Sequence, residues 1–416
     1  MNYQQIYNFS LEFSAWQYIL YVKTNESIII EDFMKILHTS DLHLGLRLCE
    51  YPMNSEIAYL LDQIRQIAKT EECTAVIIAG DIYDRSNPSP ESVAIFDGFV
   101  TSLAEDGIRV FIISGNHDSP ERIAYLSGIL ERAGVYISPV FDGKIAKITL
   151  PDEYGDVNFY LLPFFRPSQL RLMNSDFTGD DYTSAHRFLI DSLDVDKEAR
   201  NIMTAHQFVA GSSDESMSDD EVGGSGMVLA DVFDVFDYTA LGHLHTAHPV
   251  LRDSGIEYCG SPLKCSFAEA GEQKSVTLID LRDKGDMDIR RIPLTPLHDL
   301  REIRGTYAYV TSLACREIGS RDDYLRVILT DEDDIPDAVA KLRTVYPNLM
   351  RLSYDNLRTR TAQTVDIADS GGEYDTITPE SVFAELYELQ NNSAADESVM
   401  EIVNKLFEIS RRGESV

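Results

Sequence analysis

The stretch Ala75-Val-Ile-Ile-Ala-Gly-Asp-Ile-Tyr-Asp84 carries the strongest structural signal in the chain. It begins with an apolar run rich in β-branched side chains, which predicts a strand buried on both faces. Gly80 ends the strand, and Asp81 follows at its carboxyl end, where open α/β sheets bind their ligands. A carboxylate at that edge has two oxygens and can contact two metal ions. We therefore expect Asp81 to be a bridging metal ligand.

Strands and helices alternate on both sides of this stretch. Apolar positions at helical spacing predict helices at residues 56–69, 90–106 and 120–133, and short apolar runs predict strands at 36–39 and 109–114. This βαβα order predicts a layered α/β domain with its helices outside the sheet.

Beyond residue 135 the pattern favours strands. They are predicted at residues 144–150, 158–163, 201–206, 238–241, 255–258 and 275–281, with a helix at 184–193 and a hairpin at 282–291. A small α+β module follows, with strands at 324–329 and 350–355 around a helix at 337–346. Two amphipathic helices are predicted after Thr378, and either a partner or the body of the protein must cover their apolar faces.

Length, composition and charge limit the class of protein. A chain of 416 residues with 44% hydrophobic residues is typical of a globular protein with two or three domains. No early apolar run reaches the ~20 residues of a membrane span, so we expect no membrane association. The five cysteines form no CxxC pair, which favours reduced thiols and a cytoplasmic location.

The formal net charge of −33 argues against a protein that binds nucleic acid over a wide surface. It does not exclude an enzyme that contacts phosphate through metal ions or with a partner's basic surface.

Five short motifs place metal-binding side chains directly after predicted strands. They are Asp41-Leu-His43, Gly80-Asp81, Gly115-Asn-His-Asp118, Ala205-His206 and Gly242-His-Leu-His245. In an extended segment residues i and i+2 share a face, so the two ends of the Asp-x-His motif can point at one spot, as can those of the His-x-His motif. Mixed imidazole and oxygen donors suit Mn²⁺, Fe²⁺ or Zn²⁺ better than Mg²⁺.

The donors divide into two sets around the shared Asp81. The first set is Asp41, His43, Asp81 and His245, and the second is Asp81, Asn116, His206 and His243. Two ions about 3.5–4 Å apart would hold a phosphodiester and activate a water for in-line attack. His117 is left over and can orient the phosphate or protonate the leaving oxygen. Asp84 can orient a metal-bound histidine or water, or it can cap the turn.

In this order the five motifs resemble those of the calcineurin-like metallophosphoesterase superfamily. The strings Ile36-Leu-His-Thr-Ser-Asp-Leu-His-Leu-Gly45, Gly80-Asp-Ile-Tyr-Asp84 and Gly260-Ser-Pro-Leu-Lys264 narrow the resemblance to the nuclease subunits of bacterial SbcC–SbcD complexes. The resemblance extends from Met34 to the C-terminus. It implies a four-layer α/β/β/α metallophosphoesterase sandwich with a small α+β cap domain and a helical C-terminal tail.

The domain boundaries expected from this resemblance follow the changes in sequence pattern. Residues 34–285 are expected to form the catalytic domain, 286–358 the cap, 359–377 a linker and 378–416 a helical partner-binding tail. Residues 1–33 have no counterpart in the resemblance. They are either an upstream extension from a mis-called start codon or a genuine element that packs on the domain.

The resemblance also implies an activity, cofactors and partners. The activity is a DNA nuclease that acts as an exonuclease on duplex ends and as an endonuclease on single strands and hairpins, in end processing, recombination and repair. The cofactors are two divalent metal ions, for which Mn²⁺ is the expected metal. The two ligand sets above hold them, and His117 lies near the leaving group. The partners are DNA, an SbcC-like coiled-coil ATPase bound by the C-terminal helices, and a second copy of the chain in a homodimer.

Several basic residues are candidates for contact with DNA phosphates, and they are Arg47, Arg122, Lys264, Arg290 and Arg291. The arginines of the 282–291 hairpin are equally well explained as ion-paired surface side chains. An acidic loop at 211–226 lies near the expected path of DNA and departs from the resemblance.

Two other classes of function remain open. A phosphoesterase for small phosphodiesters, nucleotides or phosphoproteins is favoured by the negative charge and disfavoured by the cap and tail. A binding scaffold with an inactive phosphoesterase fold would have lost metal ligands, whereas all seven ligand positions are filled here.

Overall fold

A computed structural model describes residues 33–210 and 226–356, together with Phe383, Val399, Met400, Val403 and Phe407. All but the last residue of the N-terminal extension and of the acidic loop, the whole linker and most of the tail lie outside the described residues. Within the described part of the chain, no helix is both long enough and apolar enough to cross a membrane.

The strands are β1 (Met34–Thr39), β2 (Arg47–Leu48), β3 (Tyr51–Pro52), β4 (Ala75–Ala79), β5 (Arg109–Ile113), β6 (Val135–Ile137), β7 (Ala146–Asp152), β8 (Gly155–Leu162), β9 (Arg200–His206), β10 (Val209–Ala210), β11 (Val228–Leu229), β12 (Tyr238–Gly242), β13 (His248–Pro249), β14 (Ile256–Tyr258), β15 (Ser275–Leu281), β16 (Met287–Pro293), β17 (Leu300–Gly305), β18 (Tyr324–Leu329) and β19 (Leu349–Tyr354). The α-helices are α1 (Asn54–Thr70), α2 (Pro90–Glu105), α3 (Pro120–Ile123), α4 (Ser127–Leu130), α5 (Pro167–Met173), α6 (Tyr182–Asp191), α7 (Tyr307–Val310), α8 (Leu313–Arg316) and α9 (Ala338–Val345). Short 3₁₀ helices cover Glu131–Ala133, Ala230–Phe233 and Phe267–Glu269.

The chain forms two compact units. Among the described residues, the first unit contains those up to Cys265 and Glu272–Leu297, and the second contains Ser266–Gly271 and those from His298 onward. The division therefore lies C-terminal to the predicted boundary at residues 285–286. The reason is that β16, the second strand of the predicted hairpin, pairs with β15 and extends a sheet of the first unit.

Two six-stranded sheets make up the first unit. Sheet 1 has the order β16-β15-β1-β4-β5-β6, and its strands β1, β4, β5 and β6 are parallel. Sheet 2 has the order β13-β14-β12-β9-β8-β7, and its strands β14, β12, β9 and β8 are parallel. The parallel strands of each sheet bring their carboxyl ends to one edge.

The two sheets pack face to face. Alternate residues of both sheets enter one buried cluster, in which the rings of Phe111 and Phe159 stack with their centroids 3.9 Å apart. Leu241 points to the opposite face of sheet 2, where it joins a second cluster with Leu170 of α5 and Leu189 of α6. Helix α2 contacts β5 of sheet 1. The predicted α/β sandwich with helices outside two sheets is confirmed.

The predicted long helix at residues 120–133 is wrong. The segment instead forms α3, α4 and a 3₁₀ turn, because Leu126 has a left-handed backbone with φ of 62°. A single residue in that conformation ends a right-handed helix. Helix α5, which begins with Pro167 in its first turn, was not predicted.

The second unit contains the parallel sheet β17-β18-β19. Helix α9 contributes Ala338 and Leu342 to its buried cluster, which also contains Leu325 and Val327 of the central strand. This agrees with the small α+β module predicted from the sequence.

Candidate metal centre

The predicted metal-binding side chains all follow the carboxyl ends of parallel strands. Asp41 and His43 follow β1, Asp81 follows β4, Asn116 and His117 follow β5, His206 ends β9, and His243 and His245 follow β12. Three of these strands belong to sheet 1 and two to sheet 2. The site therefore lies where the ends of the two packed sheets meet.

Four of the seven candidate ligands have a left-handed backbone, and they are Asp41 (φ 52°), His43 (φ 44°), Asp81 (φ 48°) and His243 (φ 102°). The prediction that extended segments aim the Asp41–His43 and His243–His245 pairs is therefore wrong in its geometry, although the side chains do converge. Non-glycine residues rarely adopt this conformation, and it is concentrated at functional sites.

Close packing of the loops holds this backbone in place. The His43 N–H donates to the Asp81 carbonyl at 3.1 Å, so the loops after β1 and β4 continue to pair beyond the strands. A Cβ added to Gly242 would lie 2.0 Å from the Ala79 carbonyl oxygen. Only glycine allows sheet 2 to approach sheet 1 this closely at the metal-binding edge.

The first predicted ligand set is brought together. The Nε2 atoms of His43 and His245 lie 3.1 Å apart, and the Asp81 Oδ2 atom is 3.9 Å from the His43 Nε2 atom. Donor atoms of Asp41, His43 and His245 all lie within 4.8 Å of one another. This spacing allows the donors to share one cation.

The second set is assembled around His206. Its Nδ1 atom donates to the Ala79 carbonyl at 2.8 Å, so the lone pair of the neutral ring is on Nε2. That Nε2 atom lies 3.3 Å from Asp81 Oδ2 and 3.0 Å from Asn116 Oδ1, and His243 Nδ1 lies 3.1 Å from the same amide oxygen. Several hydrogen-bond acceptors thus face one small space, and a positive charge at its centre would stabilise this arrangement.

Burial sets the charge state of these groups. It lowers the pKa of His43 to about 3 and that of His243 to about 4, so both rings are neutral and able to bind a metal at pH 7. For His206 burial is the largest single influence and acts in the same direction, but the Asp81 carboxylate, together with Asp41 and the Ala79 carbonyl, raises the pKa to about 9. Burial would also raise the pKa of Asp81, yet His206 and His43 hold it below its ordinary value. The donor set therefore fits divalent cations, which would replace the proton on His206.

His117 and Asp84 lie at the rim of the site. The His117 Nδ1 atom donates to the Asp84 carbonyl at 2.9 Å, and its Nε2 atom lies 3.9 Å from Asp81 Oδ2. The His117 side chain is 43% exposed, so its ring can reach a substrate. The Asp84 Oδ1 atom lies 3.8 Å from the buried Nδ1 atom of His43, which has no hydrogen-bond partner among the described residues. This position supports the orienting role considered for Asp84.

Two supporting residues were missed. Ser40 Oγ donates to Asp41 Oδ2, and Asp118 accepts backbone N–H groups from the loops after β4 and β5. The position of Asp118 in the Gly-Asn-His-Asp string was a usable signal, since a buried carboxylate must find donors nearby. Ser40 gave no signal beyond its place next to Asp41.

Each candidate DNA-binding residue is either bonded to another group of the protein or buried. Arg290 pairs with Glu71, Arg291 pairs with Glu257 at 2.9 Å, Arg47 bonds the Glu50 carbonyl, and Arg122 donates to Asn87 at 2.7 Å. Lys264 is only 9% exposed, which leaves little access to a phosphate backbone. The structure thus brings none of these five into the metal centre, and both arginines of β16 are ion-paired.

Comparisons with known proteins agree with this geometry. A family model described as calcineurin-like phosphoesterase matches residues 34–247, more than half of the chain. The SbcD_C model, described as the type 5 capsule protein repressor C-terminal domain, matches residues 296–391.

Two solved structures are similar to parts of the chain. A protein of Thermus thermophilus named TT1561 is 11% identical, with a TM-score of 0.39, over 62% of this chain and 99% of its own. A dimetal phosphatase from Danio rerio is 12% identical, with a TM-score of 0.41, over 64% of this chain and 99% of its own. On the match of residues 34–247, this chain belongs to the calcineurin-like phosphoesterase family and is a metal-dependent phosphoesterase, with an SbcD-type C-terminal region.

Proposed function

We propose that this phosphoesterase is a two-metal-dependent DNA nuclease of the SbcD type, cutting duplex ends as an exonuclease and single strands or hairpins as an endonuclease. The observation that carries the proposal is the SbcD_C match at residues 296–391, which follows a phosphoesterase domain with all its candidate ligands in place. Generic phosphoesterase activity needs no such C-terminal region.

The two ligand sets are proposed to hold two Mn²⁺ ions. Asp41, His43 and His245 would bind the first ion, and Asn116, His206 and His243 the second, with Asp81 shared between them. The mixture of imidazole, amide and carboxylate donors supports Mn²⁺ over Mg²⁺. When bound, two such ions supply charge neutralisation at the phosphate and activation of a water.

The protein's own groups orient the reaction. The Nδ1 atom of His117 is occupied by the Asp84 carbonyl, so the ring presents Nε2 to the substrate side. With Nδ1–H donating to Asp84, a protonated ring would donate from Nε2 to a phosphate oxygen or to the leaving oxygen. Asp84 is proposed to orient His43, because its carboxylate faces the second nitrogen of that ring.

Partners and location are part of the same proposal. The C-terminal helices would bind an SbcC-like coiled-coil ATPase, which would supply a basic surface for DNA, and the nuclease would act as a homodimer. The SbcD_C match at residues 296–391 supports the ATPase partner. None of the five cysteines, all of which lie among the described residues, is in a disulfide, which fits the reducing cytoplasm.

A second candidate is hydrolysis of small phosphodiesters, nucleotides or phosphoproteins. It is favoured by the net charge of −33 and by the ion pairs that engage Arg290 and Arg291. A small substrate needs contact with the metal centre only, whereas a DNA duplex needs a positive surface as well.

The test compares two substrates. The full chain with Mn²⁺ is incubated with blunt duplex DNA and with bis-p-nitrophenyl phosphate, with and without the ATPase. An Asp81→Asn variant is the control for contaminating nucleases. We expect both substrates to be cleaved by the parent and neither by the variant. Cleavage of the small diester alone, even with the ATPase present, would favour the second candidate.

A further inference from the structure

Lys274 is a buried lysine outside the predicted ligand sets. It lies directly before β15 of sheet 1, and its side chain is 7% exposed. Its ammonium group donates to the His245 carbonyl at 2.9 Å and to Glu272 Oε2 at 2.9 Å. A buried ammonium group is costly unless it is paired and hydrogen-bonded. Both conditions are met here by groups at the edge of the metal centre.

The backbone around His245 is held at further points. The His245 carbonyl also accepts from the Ser261 N–H at 3.0 Å, and Glu272 Oε1 accepts from Thr246 Oγ at 2.8 Å. Gly260 has φ of 74°, and a Cβ there would lie 2.6 Å from the same carbonyl oxygen. The Lys274–Glu272 pair therefore binds two consecutive residues of a loop that has no room to shift.

This loop needs such restraint. It carries both His243 and His245, and His243 has φ of 102°, a conformation that a non-glycine residue leaves when its surroundings permit. The loop follows β12 of sheet 2, whereas Lys274 directly precedes β15 of sheet 1. The lysine thus links the ligand loop of sheet 2 to the start of a strand in sheet 1, the sheet whose strand ends supply Asp41 and His43.

We propose that Lys274 is a positioning residue of the metal centre, which holds the His245 carbonyl so that the imidazole stays aligned with the first ligand set. This inference rests on the proposed two-metal site. Residues that orient metal ligands contribute roughly 10- to 100-fold to metal affinity in other proteins. A merely structural ion pair would change stability and leave metal affinity unaltered.

The chain offers a matched control in Lys284. Its ammonium also donates to one carbonyl and one carboxylate, those of Ala199 at 2.7 Å and Asp237 at 2.8 Å. These acceptors lie just before β9 and β12, at the opposite ends of the strands from the metal-binding edge. Lys284→Met removes the same kinds of bond without touching the ligand loop.

The experiment titrates Mn²⁺ into the full-length parent, Lys274→Met and Lys284→Met, by calorimetry and by electron paramagnetic resonance. For Lys274→Met we expect calorimetry to show one Mn²⁺ bound about 10- to 100-fold more weakly than in the parent. When less Mn²⁺ is added than the two sites can hold, the resonance spectrum of this variant should show isolated Mn²⁺ ions in place of a magnetically coupled pair. Lys284→Met should match the parent in both measurements. Two Kd values for Lys274→Met within about threefold of the parent would overturn the inference.

A second variant covers a failure of Lys274→Met to fold. Glu272→Gln keeps the shape of the side chain and removes the charge that fixes the ammonium group, so we expect weaker binding at the same single site. Unchanged affinities in this variant would also overturn the inference. A parent chain that binds fewer than two Mn²⁺ ions would instead contradict the proposed function.

Discussion

Asp118 offers a direct test of how the two loops of sheet 1 are held at the metal centre. Its carboxylate is 7% exposed and accepts three backbone N–H groups. The Oδ2 atom accepts from Ile82 at 3.1 Å and from Gly115 at 2.9 Å, and the Oδ1 atom accepts from Tyr83 at 2.9 Å. The N–H groups of Ile82 and Tyr83 follow Asp81 in the loop after β4, and Gly115 lies in the loop after β5. One side chain therefore joins the two loops.

The two obvious substitutions differ in the bonds that they remove. Asp118→Ala leaves three buried donors without their acceptor, and each costs roughly 1–3 kcal/mol, so we expect a loss of about 3–5 kcal/mol after water enters the gap. In Asp118→Asn the amide oxygen can take the place of Oδ2 and accept from Ile82 and Gly115. The NH₂ group then takes the place of Oδ1 and faces the N–H of Tyr83, from which it cannot accept. Only one bond is lost, and we expect a loss of about 1–3 kcal/mol.

The assay is urea unfolding of the full chain in EDTA, so that metal binding does not contribute to stability. Asp106→Asn is the control, because Asp106 pairs with Arg65 and Lys69 at the surface, where solvent screens the interaction. We expect Asp118→Ala to be the least stable, then Asp118→Asn, with the control close to the parent. Equal losses for the two Asp118 variants, or losses below about 0.5 kcal/mol for both, would refute the reasoning.

Three further predictions follow from other parts of the first unit. His117→Ala should lower kcat on bis-p-nitrophenyl phosphate roughly 10²- to 10⁴-fold while two Mn²⁺ remain bound in equilibrium dialysis, and loss of metal would show that His117 is a ligand instead. Asp152→Ala should destabilise the chain by about 3–5 kcal/mol in urea unfolding, because it leaves the Arg200 guanidinium, 2% exposed, without its carboxylate. Burial lowers the pKa of His186 to about 4, so between pH 6.5 and 4 the unfolded chain binds a proton that the folded chain does not. The free energy of unfolding should therefore decrease by up to about 3 kcal/mol as the pH is lowered from 6.5 to 4. A His186→Phe variant that shows the same decrease in urea unfolding with EDTA would contradict this.

The ligand side chains could be predicted from the sequence because each one lies at, or within a few residues of, the end of an apolar run. A buried strand is recognisable within five residues, as at Ala75–Ala79, and the polar residue after it must lie at the edge of the sheet. The order of the motifs then gave the family. What the sequence did not reveal is the left-handed backbone at Asp41, His43 and His243, since no side-chain pattern reports φ for these residue types.

Groups that act across the fold could not be predicted. Lys274 and His245 are distant in sequence and meet only because β15 and the loop after β12 come from different sheets. The broken helix at Leu126 has a similar cause, because helical spacing of apolar residues fits several short turns as well as one long helix. In both places the structure depends on tertiary contacts that single-sequence patterns do not contain.

The ion pairs of the basic side chains bear on where a phosphate group would bind first. Arg290 and Arg291, the strongest candidates on sheet 1, are held by Glu71 and Glu257, and a phosphate would have to compete with those carboxylates. Two bound divalent ions would outweigh the negative charges of Asp41 and Asp81, so the proposed metal centre would keep positive charge for a phosphate. A substrate is therefore expected to be captured at the metal centre before it meets basic side chains. On the proposed function, DNA and a small diester would share their first contact, and the basic surface proposed for a partner would distinguish them.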